Sequence, residues 1–250
     1  MQGVLYVSHG SRLPEALKEA ISFIDAVKPR INASLQDICF LELADPTIQQ
    51  GIERLVSLGA SAISVVPVLL FDAKHYYVDI PHEVAAAQKQ FPNISFTYGQ
   101  PLGVQKRLTD ILVTRIREQR SVIHQDASIV LVGRGSRYPA IKQKIESIAF
   151  TLADTLNVER IKTCYLAACT PSFDEGLRDA IDHGSSQVFV VPYLWFTGLL
   201  MQSMEETING LNHLSQDIVL CRHLGDHPNI KDALVDRVNE SFQFNRDFIT

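Results

Sequence analysis

The sequence predicts an α/β protein of two similar domains, each a parallel β-sheet flanked by helices and both arising from one duplicated unit. Three observations predict it. Apolar, β-branched runs alternate with segments of helical periodicity, the pattern of strand–helix–strand units. The central run of each half lacks in-and-out alternation, as a strand covered on both faces does. The whole pattern is also written twice, since Val7-Ser8-His9-Gly10-Ser11-Arg12 returns as Val132-Gly133-Arg134-Gly135-Ser136-Arg137 at an offset of 125 residues.

The same offset carries Pro46 to Pro171, Gly51 to Gly176, Gly59 to Gly184, and Val65-Val66-Pro67 to Val190-Val191-Pro192. Near the end it slips to 122, where Leu102-Gly103 becomes Leu224-Gly225 and Arg115 becomes Arg237. A unit of roughly 120 residues has been duplicated, giving expected domains at 1–120 and 121–250 that face each other across a cleft.

Within the first unit, Val4–Val7 reads as a strand entering a Ser-His-Gly-Ser turn. Pro14 opens a helix whose apolar stripe is Leu17, Ala20, Ile21, Ile24 and Val27. Ile38–Leu43 is the second strand, and Asp45-Pro46-Thr47 caps a helix carrying Ile48, Ile52 and Leu55 that Gly59 ends. Ala62–Leu70 is the central strand. A helix over Pro81–Gln90, a strand over Ile94–Tyr98 and a helix over Gln105–Arg117 complete the unit. Arg117–Ala127, polar and charged, connects it to the second unit, which repeats the pattern from Ser128.

Composition narrows the function classes. The chain has 250 residues, 46% of them hydrophobic, enough for sizeable cores. A net charge of −5 provides no general attraction to nucleic acid or anionic lipid, so an anionic substrate must be met by local Arg and Lys. No run reaches the ~18 apolar residues of a membrane span, and the apolar opening is too short for a signal sequence. Cys39, Cys164, Cys169 and Cys221 form no CxxC pair, so reduced thiols in a cytoplasmic protein are expected.

Ligands of open α/β sheets collect beyond the carboxyl ends of the strands. His9, Glu42 and His75 fall there: after the first strand, at the end of the second, and in the loop after the third. Two imidazoles and a carboxylate suit Fe(II), Co(II), Ni(II) or Zn(II) and leave coordination positions open. The repeat supplies a control. At the same offset His9 becomes Arg134, Glu42 becomes Ala167 and His75 becomes Leu200, while the framework around them persists. Residues needed by the fold would be needed twice, so a role outside the fold is favoured. Each residue alone has a plainer reading, as a turn histidine, a capping carboxylate and an exposed loop residue. The Ser8–Ser11 turn could also cradle an anion at the first helix N-terminus. His82, His124, His183, His213, His223 and His227 have no such placement and read as surface or structural.

Leu5-Tyr6-Val7-Ser8-His9-Gly10-Ser11-Arg12 and Phe40-Leu41-Glu42-Leu43-Ala44-Asp45-Pro46-Thr47 resemble motifs of the class II chelatases of sirohydrochlorin, the SirB and CbiX group. So does Val66-Pro67-Val68-Leu69-Leu70, followed by His75 and Asp79-Ile80-Pro81. The resemblance covers nearly the full length, including the degenerate second half of the longer members. It implies a sirohydrochlorin ferrochelatase, inserting Fe(II) without ATP in siroheme biosynthesis, with a divalent metal as substrate and no organic cofactor. It further implies that His9 and His75 are catalytic and bind the metal together with Glu42. The stretch around His75 departs from the family pattern, with Phe71-Asp72-Ala73-Lys74 before it and Tyr76-Tyr77-Val78 after it. That departure bears on substrate contacts more than on His75.

The implied partner is the tetrapyrrole itself, not nucleic acid or membrane. Ser11, Arg12, Lys74, Arg134 and Arg137 lie in the matching loops and are the candidates for meeting its carboxylates, with solvated surface as the alternative. Phe71, Tyr76, Tyr77 and Trp195 could line its ring, though Phe71 and Trp195 also read as ordinary core. Competing readings are a cobaltochelatase serving cobalamin, a non-catalytic metal or tetrapyrrole carrier, and a two-domain sensor closing on a small ligand. Some cobalt-linked members of the resembled family carry a C-terminal cysteine cluster or His-rich stretch, and since neither is present here the resemblance leans to iron over cobalt.

Overall fold

The computed structural model describes residues 1–120, 122–211 and 215–243. In the first repeat, strands β1 (Gln2–Ser8), β2 (Leu35–Phe40), β3 (Ala62–Pro67) and β4 (Ser95–Tyr98) alternate with helices α1 (Pro14–Val27), α2 (Ile48–Ser57), α3 (Ile80–Gln90) and α4 (Lys106–Gln119). The second repeat follows with β5 (Ser128–Gly133), α5 (Pro139–Leu156), β6 (Arg160–Tyr165), α6 (Phe173–Asp182), β7 (Gln187–Tyr193), α7 (Leu199–Asn209), β8 (Asp217–Leu220) and α8 (Pro228–Ser241). Each repeat has one four-stranded, wholly parallel sheet, ordered β2-β1-β3-β4 and β6-β5-β7-β8. Two parallel α/β sheets are therefore present, as the sequence predicts.

The local sequence explains the elements. β1 and β3 are buried almost throughout, which is why they read as continuous apolar runs. Pro14 occupies the first turn of α1, and the helix buries Ala16, Ala20, Phe23, Ile24 and Val27. The buried face is thus turned toward Phe23, and Ile21, expected inside, is 37% exposed. Thr47 and Gln50 form a reciprocal capping box at the start of α2, and Ser172 with Glu175 repeats it at α6. Gly51 lets α2 press onto the sheet, since a Cβ there would lie 2.7 Å from Leu5 Cδ1. Fully buried Leu5, Ile52, Leu55, Ile63 and Ile80 centre one core, each contributing about 1.5–3 kcal/mol of burial. Val130, Val132, Leu177, Val188 and Val190 centre the equivalent core of the second sheet.

The compact units differ from the sequence repeats by one element each. One unit is Met1–Gly103 joined by Ile230–Thr250, and the other is Val104–Asn229. Helix α8 therefore completes the first unit and α4 the second. Among the described residues, no helix is long and apolar enough to cross a membrane.

Candidate functional site

The order β2-β1-β3-β4 places a topological switch point between β1 and β3, where ligands of such sheets bind beyond the strand carboxyl ends. His9 follows β1 and His75 follows β3, so the two histidines straddle that point. β2 ends at Phe40 and not at Leu43 as expected, so Glu42 stands two residues beyond the strand. The reason is local. Phe40 N–H turns to the Pro46 carbonyl, while Leu41 N–H donates to Ser8 O (2.9 Å) and Glu42 N–H to His9 O (3.1 Å). These bonds hold the Glu42 backbone directly beside that of His9. Gly10, at φ +90°, leaves the room, because a Cβ there would lie 1.9 Å from the Glu42 carbonyl oxygen.

His75 is not in an open loop. It begins a π-helical turn, His75–Asp79, that runs straight into α3. Tyr76, inside that turn, is buried and stacks on Tyr98 (centroids 4.9 Å apart), so it belongs to the core and does not face a ligand.

One ligand atom each from His9, Glu42 and His75 lie within 4.8 Å of one another, and among the described residues this is the group arranged to hold a metal ion. His9 Nε2 is 3.4 Å from Glu42 Oε1, and the two imidazoles meet edge to face at 5.0 Å. Metal–nitrogen and metal–oxygen bonds of about 2.0–2.2 Å need little further closure of such a set. Both imidazoles are oriented by their other nitrogen. His9 Nδ1 lies 3.2 Å from Gly10 O, and His75 Nδ1 lies 2.7 Å from Asp79 Oδ2. A carboxylate only accepts, so His75 Nδ1 carries a proton and its Nε2 presents its lone pair, whereas His9 faces an acceptor at each nitrogen, the Gly10 carbonyl and the Glu42 carboxylate. Side-chain exposures of 30%, 52% and 26% for His9, Glu42 and His75 leave the set reachable from outside.

The remaining candidates are distributed differently. The Ser11 hydroxyl accepts from Leu13 N–H (3.0 Å), and Ser136 repeats this with Tyr138 N–H (3.1 Å), so the bond belongs to a turn both repeats share. Arg12 is exposed at the start of α1. Lys74 Nζ lies 3.6 Å from Asp79 Oδ1. Arg134 and Arg137 are exposed in the loop after β5, in the second unit. Tyr77 is 45% exposed and donates to Asp72 Oδ2, whereas Trp195 is buried and stacks on Phe196. His124, His183 and His227 bond to Ser186, the Asp179 carbonyl and Asn229 N–H, and His82 is exposed; His213 lies outside the described residues. Sequence reasoning missed the part of Asp79. Its four-residue spacing from His75 was the available signal.

The family model described as CbiX matches residues 3–119 and again 128–241, one match per repeat. The chain is 42% identical over 238 residues to a sirohydrochlorin ferrochelatase of Priestia megaterium, covering 95% of this chain and 90% of that one. A sirohydrochlorin cobaltochelatase of the same organism is 31% identical over 249 residues, covering 97% and 81%. Among solved structures, SirB from Bacillus subtilis with Fe3+ superposes with a TM-score of 0.88 at 36% identity, covering 98% of this chain and 99% of that one. With both repeats matched and the full-length relatives this similar, the chain belongs to the CbiX family, the class II chelatases.

Proposed function

We propose that the protein is a sirohydrochlorin ferrochelatase that inserts Fe(II) into sirohydrochlorin without ATP, the metal-insertion step of siroheme biosynthesis. The observation that carries this reading is the convergence of His9, Glu42 and His75 on one point in the unit of a CbiX-family chain that retains them. Insertion removes two pyrrole protons and delivers one divalent ion to the ring centre. The Nε2 atoms of His9 and His75, with a Glu42 oxygen, hold the ion as it arrives. Each imidazole it leaves is then free to take up a pyrrole proton as a general base. Glu42 fixes the ion against His9 and offsets its charge. The carboxylates at the ring edge meet Arg12 and Lys74 beside the site, and Ser11, Arg134 and Arg137 are the further candidates for them. The four free thiols suit a reducing compartment such as the cytoplasm.

Cobalt is the second reading, supported by the cobaltochelatase relative, since Fe(II) and Co(II) accept the same donor types. The test is the anaerobic absorbance change of sirohydrochlorin with Fe(II) or Co(II), for the protein and its His9→Ala variant. Acceleration that vanishes in the variant supports the assignment, and the faster metal decides between the readings. A folded protein that accelerates neither reaction is a carrier or sensor.

A further inference from the structure

We propose that Asp79 is a positioning residue for metal insertion: its carboxylate holds His75 in the tautomer that aims Nε2 at the ion. This rests on the His9–Glu42–His75 reading of the site. Three independent observations support it. The first is the contact itself. Asp79 Oδ2 lies 2.7 Å from His75 Nδ1, while Lys74 Nζ, 3.6 Å from Oδ1, holds the carboxylate from the other side.

The second is the backbone that creates the contact. Ile80 N–H donates to His75 O, five residues back, so His75 and Asp79 are the first and last residues of one wide turn. Turns of this kind are rare and concentrate at functional sites. This one is pinned from beneath, where the Tyr98 hydroxyl donates to the Tyr76 carbonyl at 2.9 Å and the two rings stack.

The third is the sister repeat. There the equivalents of His75 and Asp79 are Leu200 and Met204, and both lie in α7, which runs as an ordinary α-helix from Leu199. Met204 is fully buried in the second core, and Leu200 packs against it. The histidine, its acceptor and the wide turn are therefore lost together, as expected of parts serving one purpose. A carboxylate that merely preceded the first turn of α3 would have no reason to depart with a metal ligand.

The test uses the full chain, with Co(II) as the probe. Co(II) affinity is measured for the protein and for Asp79→Ala, Asp79→Asn and His75→Ala. The ring tautomer of His75 is read at fixed pH from long-range proton–nitrogen correlations with labelled histidine. We expect Asp79→Ala to weaken Co(II) binding by about 10–100-fold and to lose the proton from Nδ1 of His75 in part of the population. Asp79→Asn, which keeps an accepting oxygen and the side-chain shape, should lose less of both. Wild-type affinity in Asp79→Ala, with His75→Ala defective, overturns the role of Asp79 alone. So does weakened binding with an unchanged tautomer, which would mark a structural effect. Wild-type affinity in His75→Ala overturns the metal centre, and the role of Asp79 with it.

Discussion

Gly10 and Glu42 are in backbone contact across the β1 and β2 loops, so close that a methyl group on Gly10 would fall 1.9 Å from the Glu42 carbonyl oxygen. The sister repeat keeps this contact between Gly135 and Ala167, at 1.7 Å, although no ligand remains there. Both glycines hold φ near +90°. Gly10→Ala and Gly135→Ala should therefore each destabilise the protein by about 1–3 kcal/mol, through backbone strain and displacement of the facing loop. Only Gly10→Ala should also weaken Co(II) binding, because only its neighbour carries a ligand. Denaturant unfolding and metal titration of both variants separate the two effects, and equal metal affinities would contradict this account.

Leu43, next to Glu42, adopts φ +66° and is 47% exposed. A branched residue in the left-handed region costs roughly 1–2 kcal/mol, which glycine avoids while giving back part of the gain as unfolded-state entropy. Ala168 holds the same conformation at the equivalent place, so the bend belongs to the fold and the leucine side chain does not. Leu43→Gly should leave stability equal or raise it by up to about 1 kcal/mol. On the proposed function it should raise KM for the apolar ring. A variant that is less stable and fully active would refute both parts.

Much of the site was legible because duplication left a blank copy: Arg134, Ala167 and Leu200 mark His9, Glu42 and His75 as dispensable to the fold. Strands were legible as apolar runs, but their ends were not. Ile38–Leu43 continues in composition past Phe40, where hydrogen bonding turns to Pro46. Ala62–Leu70 stays apolar although strand pairing stops at Pro67. The wide turn at His75 was invisible because Pro81 marks a helix start, so the residues before it read as loop. The partner of each terminal helix was hidden too. An apolar stripe on α4 or α8 says that a face is covered, not which sheet covers it.

Arg115 of α4 is 3% exposed and tightly bonded. Its Nε donates to His223 O (3.0 Å), Nη2 to Leu224 O (2.9 Å) and Nη1 to Glu118 Oε1 (2.9 Å). Its repeat counterpart Arg237 donates to one loop carbonyl, Leu102 O (3.1 Å), and pairs with Glu240. Arg115→Ala strands the carbonyls of buried Leu224 and half-buried His223 and should cost about 2–4 kcal/mol. Arg237→Ala, with fewer bonds and more exposure, should cost less. Arg115→Lys should rescue little, since one ammonium cannot span the groups a planar guanidinium reaches. Chemical denaturation of the three variants gives the order, and a larger loss at Arg237 would contradict it.

Burial raises the thiol pKa of Cys164 and of Cys221 from 9.0 to about 12, and raises that of Cys39 well above its ordinary value. In the folded protein these thiols stay neutral where the same groups in the unfolded chain ionise. The unfolded state therefore releases protons that the folded state keeps, beginning near pH 9, and stability must fall as pH rises from there toward about 12. Each fully protected thiol contributes a slope of at most about 1.4 kcal/mol per pH unit in that window and none below it. Buried Tyr6 and Tyr193, also raised, steepen the loss above the ordinary tyrosine value of 10.0. Urea unfolding under reducing conditions, at neutral pH and at several points in the alkaline window, measures the slope. Cys164→Ala and Cys221→Ala should each flatten it while leaving the neutral-pH dependence unchanged. An alkaline limb as steep in the double variant as in the parent would mean that these thiols already ionise in the folded state.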